Sequence, residues 1–532
     1  MPPIDVKADV IERVAREVFP LLSAGSGALS ADRCERYAAT VSFLDRVKRR
    51  ADAAAEVPPV VAELRDALDP ERVRIDAAHR ALYAHDASVF EGGVAGPTCY
   101  PETTAEVQAI MRIAERHGRA VVPRGAGTGL AGGAIPLGGP VVVALTRMND
   151  IVDVDTVNRV AWVEPGVINL DLTSHLRPLG FHFAPDPSSQ QVCTIGGNVA
   201  NNSGGPHCLA YGVTDAHVLA LEVVLADGQV ALLGGLEDEP DGLDLRGAFV
   251  GSEGTLGVAT KIAVRITKNA PEVRTLLISF ASVADAAATV SGVIAAGIVP
   301  AAMEVMDQRI TVAVENYVHA GYPLDAGAVL LAEVEGLAAG VDSEAERIAD
   351  IGRANGATDI RLAGSEAERA LLWKGRKTAF GAIAQIAPDY YLHDTVVPRA
   401  KLAEVLAKVY EIAERHDVIV MNVFHAGDGN LHPLLLFDAR VEGTLERVHA
   451  AGAEIVRASL DAGGVLSGEH GVGVEKQDYM TEMFTDADLD HQNRLREAFD
   501  PACRSNPGKV LPMGHSCADI QALRAVPSGV WG

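Results

Sequence analysis

Cysteine is scarce in this chain, positive charge is in deficit, and no apolar run reaches the length of a membrane span. The 532 residues hold six cysteines, Cys34, Cys99, Cys193, Cys208, Cys503 and Cys517, and no two are spaced as CxxC. Thiols scattered in this way through a long chain read as the reduced cysteines of a cytosolic protein. Neither an iron–sulfur spacing nor a haem-attachment motif is present. Against 71 acidic residues stand 46 basic ones, a net charge of −25. That balance argues against nucleic acid or an anionic membrane as the main partner, and leaves room for a local basic site that binds a small anion. The opening MPPIDVKADVIERVAREVF carries acids throughout and lacks an apolar h-region, so it does not read as a secretory leader.

What is present is ordinary globular material, 48% hydrophobic and 22% charged, in a length that predicts two or three domains. Residues 8–22 and 30–55 have helical spacing, with Val10, Val14 and Val18 on one face, then Tyr37, Val41, Leu44 and Val47 on another. Ser30 is the N-cap expected for the second helix, and Pro58-Pro59 ends the unit. No chemistry is visible there, so residues 1–57 read as a helical extension for packing or partner contact, and 58–91 as a lead-in. Thr103 and Glu106 have capping-box spacing before a helix carrying Val107, Ile110, Met111 and Ala114, which Gly118 stops. Short strands are expected at 120–123, 141–145, 151–155, 159–164 and 217–235, the last bent at an Asp-Gly turn. After about residue 271 strands (275–280, 328–334) alternate with helices (282–296, 342–355, 365–384, 400–415, 443–462). The pattern predicts an α+β protein whose second half is a ferredoxin-like antiparallel sheet backed by helices.

Three glycine-rich loops punctuate the first half. PRGAGTGLAGGA (123–134) follows a strand, and closely spaced glycines let backbone N–H groups converge on an anion such as a pyrophosphate. It lacks the Gly-Lys-Ser/Thr of a Walker loop and the ribose-binding acid of a dinucleotide fingerprint, so by itself it is as compatible with a surface turn. FAPDPSSQQVCTIGGNVANNSGG (183–205) and GSEGTLGVAT (251–260) are two further irregular segments, and long irregular segments in compact domains are usually functional. As a set they resemble the flavin-binding domain of the vanillyl-alcohol oxidase/p-cresol methylhydroxylase (PCMH) superfamily over residues 92–270. The resemblance implies one FAD. It implies contacts from Pro123, Arg124, Gly125, Ala126, Gly127, Thr128, Gly129 and Gly132 of the first loop. It implies others from Pro187, Ser188, Ser189, Thr194, Gly196, Gly197, Asn198, Asn201, Asn202, Ser203, Gly204 and Gly205 of the second, and Glu253, Gly254 and Gly257 of the third. Some members attach FAD to a His of the first loop. Thr128 and Gly129 stand there in this chain, so non-covalent FAD is expected, with no attachment role for His207 or Cys208.

In the second half, HAGDGNLH (425–432) sets two histidines either side of a tight turn. An Asp428-Gly429 centre would put His425 opposite His432, where two imidazoles can share one ion; by itself the stretch is equally a polar hairpin tip. LSGEHGVGVEK (466–476) offers a third ligand in Glu469. Two histidines and one carboxylate leave open positions on a divalent ion, and His470, next to a ligand, can reach a substrate bound to it.

Residues 271–512 resemble the FAD-linked oxidase C-terminal domain of the D-2-hydroxyacid dehydrogenases, the group that includes the flavin subunit of glycolate oxidase, D-lactate dehydrogenase and D-2-hydroxyglutarate dehydrogenase. HAGDGNLHP and SGEHGVG carry that resemblance. It implies zinc or a related ion on His425, His432 and Glu469, His470 as the base, and Arg376 of WKGRKTAF on the substrate carboxylate. Where the hydroxyglutarate enzymes place a Lys and an Asn for a second carboxylate, this chain has Leu392 and Leu434. That favours glycolate or D-lactate, and an unpaired buried carboxylate would be costly. A larger 2-hydroxy acid such as D-2-hydroxyglutarate and a flavin electron-transfer subunit without substrate chemistry stay as alternatives. The fold expected is therefore α+β, a PCMH-type FAD-binding domain followed by a ferredoxin-like substrate or cap domain with a C-terminal helical segment and a tail at 513–532. Electrons would leave to an external acceptor, a protein, quinone or oxygen. The resemblance leaves open an iron–sulfur partner subunit, a homo-oligomer, and a cytoplasmic location that touches a membrane only through a partner.

Overall fold

Two small sheets and one large one carry the functional loops. The computed structural model describes residues 57–90, 92–236 and 242–512. The helices read at 8–22 and 30–55 lie outside them. Strands β1 (Val73–Arg74), β2 (Thr98–Cys99), β3 (Val121–Arg124) and β4 (Val141–Ala144) form a sheet of order β1-β2-β4-β3, with β2, β4 and β3 parallel. Strands β5 (Ile151–Asp155), β6 (Val160–Val163), β8 (Val218–Val224), β9 (Val230–Gly234) and β10 (Val258–Arg265) form an antiparallel sheet of order β5-β6-β10-β8-β9. A two-stranded ribbon joins β7 (Phe181–His182) to β11 (Thr267–Lys268). The helix Thr104–Arg116 buries Val107, Ile110 and Met111 against Val121, Val141, Val143 and Val258, tying the two sheets together. Thr103 caps it by accepting the Glu106 N–H. The Glu106 carboxylate does not close the box; it takes the Glu102 N–H and the Arg72 guanidinium instead.

The second half is one nine-stranded sheet, antiparallel throughout, of β12 (Glu272–Phe280), β13 (Ala302–Asp307), β14 (Ala328–Gly336), β15 (Ala357–Leu362), β16 (Asp389–Leu392), β17 (Thr395–Val396), β18 (Ile419–His425), β19 (Asn430–Leu431) and β20 (Pro433–Phe437). Helices cover both faces. Val283–Ala295, Ala338–Ala354, Leu402–Arg415 and Thr444–Asp461 pack on the face of Ile278, Val305, Leu330 and Phe424. Gln308–Val318 and Glu366–Lys377 pack on the face of Leu277, Met306, Leu331, Val423 and Leu434. Burial on both sides explains why a run such as AVLLA is apolar at every position instead of alternating. After the helix Asp486–Phe499 the chain returns to the first sheet: the Arg504 carbonyl accepts the Val121 N–H at 2.8 Å and the Lys509 ammonium donates to the Ile135 carbonyl at 2.7 Å.

Two expectations are corrected. Cys99, Cys193 and Cys208 are free thiols, but Cys503 is disulfide-bonded, because linear spacing does not reveal which cysteines meet in space. His425 does not face His432. It pairs with Asn430 around the four-residue turn 426–429, and Asn422 pairs with Pro433, so the register sets Val423 opposite His432. Asp428 accepts the Asn430 N–H, Gly429 takes φ +84°, and its carbonyl accepts the Val397 N–H, which fixes the longer turn. The slip is two residues and side chains alternate with period two, so the two histidines remain on one face as diagonal neighbours.

The strand that carries His425 is pinned by Asp307, a buried N-cap whose carboxylate accepts the N–H of Ile310 (3.0 Å), the N–H of Asn422 (2.7 Å) and the Tyr410 hydroxyl (2.9 Å). Asp307→Ala strands these donors and is expected to cost about 3 kcal/mol in urea unfolding, while Tyr410→Phe, which removes only one bond, costs about 1 kcal/mol.

Candidate active site

The three glycine loops meet around one cavity of about 430 Å³, within the size range of small-molecule and cofactor sites. Its wall contains Pro123 to Gly129 of the first loop. Pro187, Ser188, Ser189, Thr194, Gly196, Gly197, Asn198, Asn201 and Ser203 come from the second, and Glu253, Gly254 and Gly257 from the third. Gly132, Asn202, Gly204 and Gly205 of the expected set lie outside that wall. Asn202 instead ends the helix Ile195–Asn201 at φ +52° and accepts the Asp215 N–H through its side chain. The wall also includes residues the glycine motifs did not point to, among them Leu145, Pro165, Phe249, Lys377, Phe380 and Tyr390. Glu469 and His470 belong to the same wall, so the second half of the chain completes the cavity.

Beside the cavity, His425, His432 and Glu469 each bring a donor atom within 4.8 Å of the others. Glu469 Oε1 lies 3.5 Å from His425 Nε2, 3.3 Å from His432 Nε2 and 3.4 Å from His470 Nε2. The rings of His425 and His432 are 5.0 Å apart, and His470 stacks on His432 at 5.4 Å. His425 gives its Nδ1 to Glu304 Oε1 at 2.8 Å, which leaves Nε2 for the cluster, the arrangement that orients a metal-ligating imidazole. Both His432 nitrogens and Glu469 Oε2 are buried without a hydrogen-bond partner. Orphaned buried acceptors of this chemistry fit a divalent cation.

The loop holding Glu469 and His470 is clamped from both halves of the chain. Asp394, buried beneath it, accepts from four donors, Ser467 Oγ (2.6 Å) and the N–H groups of Gly468, Glu469 and His470 (2.9–3.1 Å). Glu253 of the third glycine loop accepts the N–H groups of Val472 and Gly473. Asn201 of the second donates to the His470 carbonyl at 3.2 Å. The glycines of GEHGVG are required by these approaches: a Cβ on Gly473, at φ +54°, would sit 1.9 Å from the Ala131 carbonyl. Burial alone would raise the Asp394 carboxyl, but the charges of Lys476 and His470 hold it well below the usual carboxylate range. Burial would likewise raise Glu469, and its bonds to His425 and His470 hold it well below. For His470, burial favours the neutral ring while Asp394 and Glu469 outweigh it and shift the imidazole upward.

Arg376 is not in the cavity wall. Its guanidinium is fully buried and ion-paired with Glu304 at 2.5 Å, which in turn holds His425, and its Nε, Nη1 and Nη2 have no hydrogen-bond partner. Successive helical residues point about 100° apart, and on the helix Glu366–Lys377 it is Lys377 that faces the cavity. Glu304 and Asp394 were not anticipated. Glu304 was detectable as the lone acid inside the apolar run AAMEVM, and buried acids seldom go unpaired.

Residues 270–510 match the family described as FAD linked oxidases, C-terminal domain, and residues 97–234 match the FAD binding domain family. Glycolate oxidase subunit GlcD of Escherichia coli (strain K12) is 45% identical over 423 residues, spanning 80% of this chain and 85% of its own. This chain belongs to the FAD-linked oxidases. It is an oxidoreductase with FAD as its cofactor. D-lactate dehydrogenase of Anaerostipes hadrus is 32% identical to this FAD-linked oxidase, spanning 86% of the chain and 98% of its own. Among solved structures, p-cresol methylhydroxylase shares the fold with a TM-score of 0.72 at 18% identity, covering 85% of this chain and 96% of its own. 4-Ethylphenol oxidase from Gulosibacter chungangensis does so with a TM-score of 0.73 at 20% identity, covering 85% and 97%. No helix among the described residues is long and apolar enough to cross a membrane.

The clamp has a direct test. Asp394→Asn removes the charge that collects the N–H groups of Gly468, Glu469 and His470. Amide exchange at 468–470 is expected to quicken about tenfold or more, with exchange in β12 and β14 unchanged.

Proposed function

We propose that this FAD-linked oxidase oxidises a short D-2-hydroxy acid, glycolate or D-lactate, to the 2-oxo acid. The observation that carries the reading is the shared cavity: the flavin loops and the Glu469–His470 loop enclose one space. The names of two relatives, a glycolate oxidase subunit and a D-lactate dehydrogenase, support the same substrate class. When bound, FAD accepts the α-hydrogen as hydride and a divalent ion, most simply zinc, polarises the α-hydroxyl as a Lewis acid. His425, His432 and Glu469 are the residues that would hold the ion, with Glu304 fixing the His425 ring. His470 takes the hydroxyl proton, so that loss of hydride and proton together yields the oxo acid. Thr128 and Gly129 supply no attachment point in the first loop, and the FAD is held non-covalently.

The short chain length of the substrate is argued from two leucines. Leu392 and Leu434 are a directly opposed cross-strand pair, both buried in the apolar cluster on the face that carries His432. A second carboxylate there would be desolvated without a partner. The reduced flavin passes its electrons to an external acceptor, a partner protein, a quinone or oxygen.

His432→Ala is expected to abolish both stoichiometric metal and anaerobic bleaching of the flavin by glycolate or D-lactate, with FAD content unchanged, because the FAD loops lie in the other half of the chain. Turnover by a protein shown to be metal-free would exclude the ion from the reaction. His470→Asn is expected to keep FAD and metal and to slow flavin reduction by a factor of about 10²–10⁴. In stopped-flow measurements the wild-type rate rises with pH as the imidazole gives up its proton, and that rise is absent from the variant.

A further inference from the structure

The first and third glycine loops meet along a seam in the cavity wall. Pro123, Gly133, Glu253 and Gly254 all belong to that wall. A Cβ on Gly254 would lie 2.5 Å from Pro123 Cγ, and one on Gly133 would lie 3.0 Å from Glu253 Oε2, so the two loops touch. Among the described residues, no hydrogen bond runs directly from one of these loops to the other. The third loop is bonded to the second, the Glu253 N–H to the Ala200 carbonyl and the Gly251 N–H to the Val199 carbonyl, both at 2.8 Å.

Two bridges span the seam, and both depend on the strap formed by residues 504–511. One bridge is the buried Asn506 side chain, whose Nδ2 donates to the Gly133 carbonyl at 2.8 Å and to the Glu253 carbonyl at 2.6 Å. A primary amide has two such protons, so both are engaged across the seam. The other bridge is the backbone of 472–475. The Ala131 carbonyl accepts the N–H groups of Val474 (2.9 Å) and Glu475 (3.2 Å), while the Glu253 carboxylate accepts those of Val472 and Gly473. The strap holds this second bridge too, because the Val510 N–H donates to the Gly473 carbonyl at 3.1 Å. Lys509, fully buried, grips the Ile135 carbonyl just beyond the first loop at 2.7 Å.

The strap is seated from outside the cavity. Its Arg504 carbonyl and Asn506 N–H both pair with Val121, at 2.8 and 2.7 Å, where β3 begins. Arg496, buried on the helix Asp486–Phe499, donates to three strap carbonyls, those of Ser505 (3.0 Å), Lys509 (3.3 Å) and Asn506 (3.4 Å). The backbone works against this seating. Asn506 stands at φ +40° and Val510 at φ +67°. The left-handed region is uncommon for residues other than Gly and Asn, and a β-branched side chain there is an outlier. Such strain persists where surrounding contacts over-determine it, and it gathers at clamps and switches. A segment held by hydrogen bonds against its own backbone strain is readily released.

We propose that residues 504–511 are a latch on the flavin cavity. FAD enters and leaves through the seam between the first and third glycine loops, and the seam parts when the strap lifts, withdrawing Asn506 and the Val510–Gly473 bond. The latch governs the rate of cofactor exchange and not the strength of cofactor binding, because none of its residues lies in the cavity wall. It rests on the non-covalent attachment of FAD proposed above.

The test measures FAD exchange in the full-length protein without substrate. Dissociation is read as replacement of bound FAD by excess carbon-13-labelled FAD in the holoenzyme, and association as the change in FAD fluorescence on adding FAD to the deflavinated protein. Asn506→Ala is expected to speed both at least about tenfold, the size that loss of hydrogen bonds to two carbonyls gives, with Kd within about threefold of wild type. Val510→Gly, which relieves the left-handed strain and leaves the backbone bond in place, is expected to slow both by about threefold. Tyr410→Phe, a destabilising change in the large sheet, leaves both rates unaltered. Faster dissociation of Asn506→Ala with unchanged association is the mark of a weakened wall and overturns the latch, as does exchange in Val510→Gly at or above the wild-type rate. Should Asn506→Ala fail to bind FAD, Val510→Gly decides by itself. Flavin that stays with the acid-precipitated wild-type protein refutes non-covalent attachment and the latch with it. Flavin that acid releases, but that exchanges at the wild-type rate in both variants, refutes the latch and leaves the attachment standing.

Discussion

A buried carboxylate facing three imidazoles is the constraint around which the site is organised. Glu469 Oε1 sits 3.3–3.5 Å from His425, His432 and His470. Such a group is expensive to desolvate unless its charge and lone pairs are matched. Each neighbouring feature supplies part of that match. Glu304 orients His425, Arg376 neutralises Glu304, and Asp394 gathers the backbone N–H groups of Gly468, Glu469 and His470 so that the loop cannot relax away. Removing any one would leave another charge buried without a partner.

The same requirement joins the two halves of the chain. A loop rich in glycine cannot bury side chains, so it is held through its backbone, and the acceptors for the 472–473 N–H groups come from Glu253 of the third glycine loop. Asn201 and the Asp186–Lys377 pair add further contacts across the same boundary. The cavity is thus closed by groups that also fix the relative position of the flavin loops and the His/Glu cluster. Pre-positioning of this kind is what the proposed acid–base chemistry next to a cofactor needs, because in that reaction proton and hydride leave one carbon–oxygen unit toward two different groups.

Much of this was legible in the residues themselves. The glycine spacing of 123–134, the Asn-Gly richness of 194–205 and the paired HAGDGNLH and SGEHGVG stretches mark backbone that must approach something closely, and that signal is local. The hairpin was legible in its face but not in its pairing. An Asp-Gly dipeptide accommodates a two-residue or a four-residue turn, and the choice was made by the Val397 N–H on the Gly429 carbonyl, a contact from another strand. Arg376 and Lys377 were indistinguishable as neighbours in a basic helix end; their separation by about 100° around the helix decided which faces the cavity.

The sequence by itself determined the α+β architecture, the glycine loops that line the cavity and the residue types His, His and Glu that cluster beside it, because periodicity, glycine placement and side-chain chemistry are properties of short segments. Only the tertiary structure decided which charges meet. Glu304 comes to His425 through pairing between strands more than a hundred residues apart, Asp394 comes to the 467–470 loop from beneath it, and the Lys377–Asp186–His207–Glu333 row is assembled from four separate elements. Electrostatic partners act through space, and a linear pattern carries no record of the distances at which they come to rest.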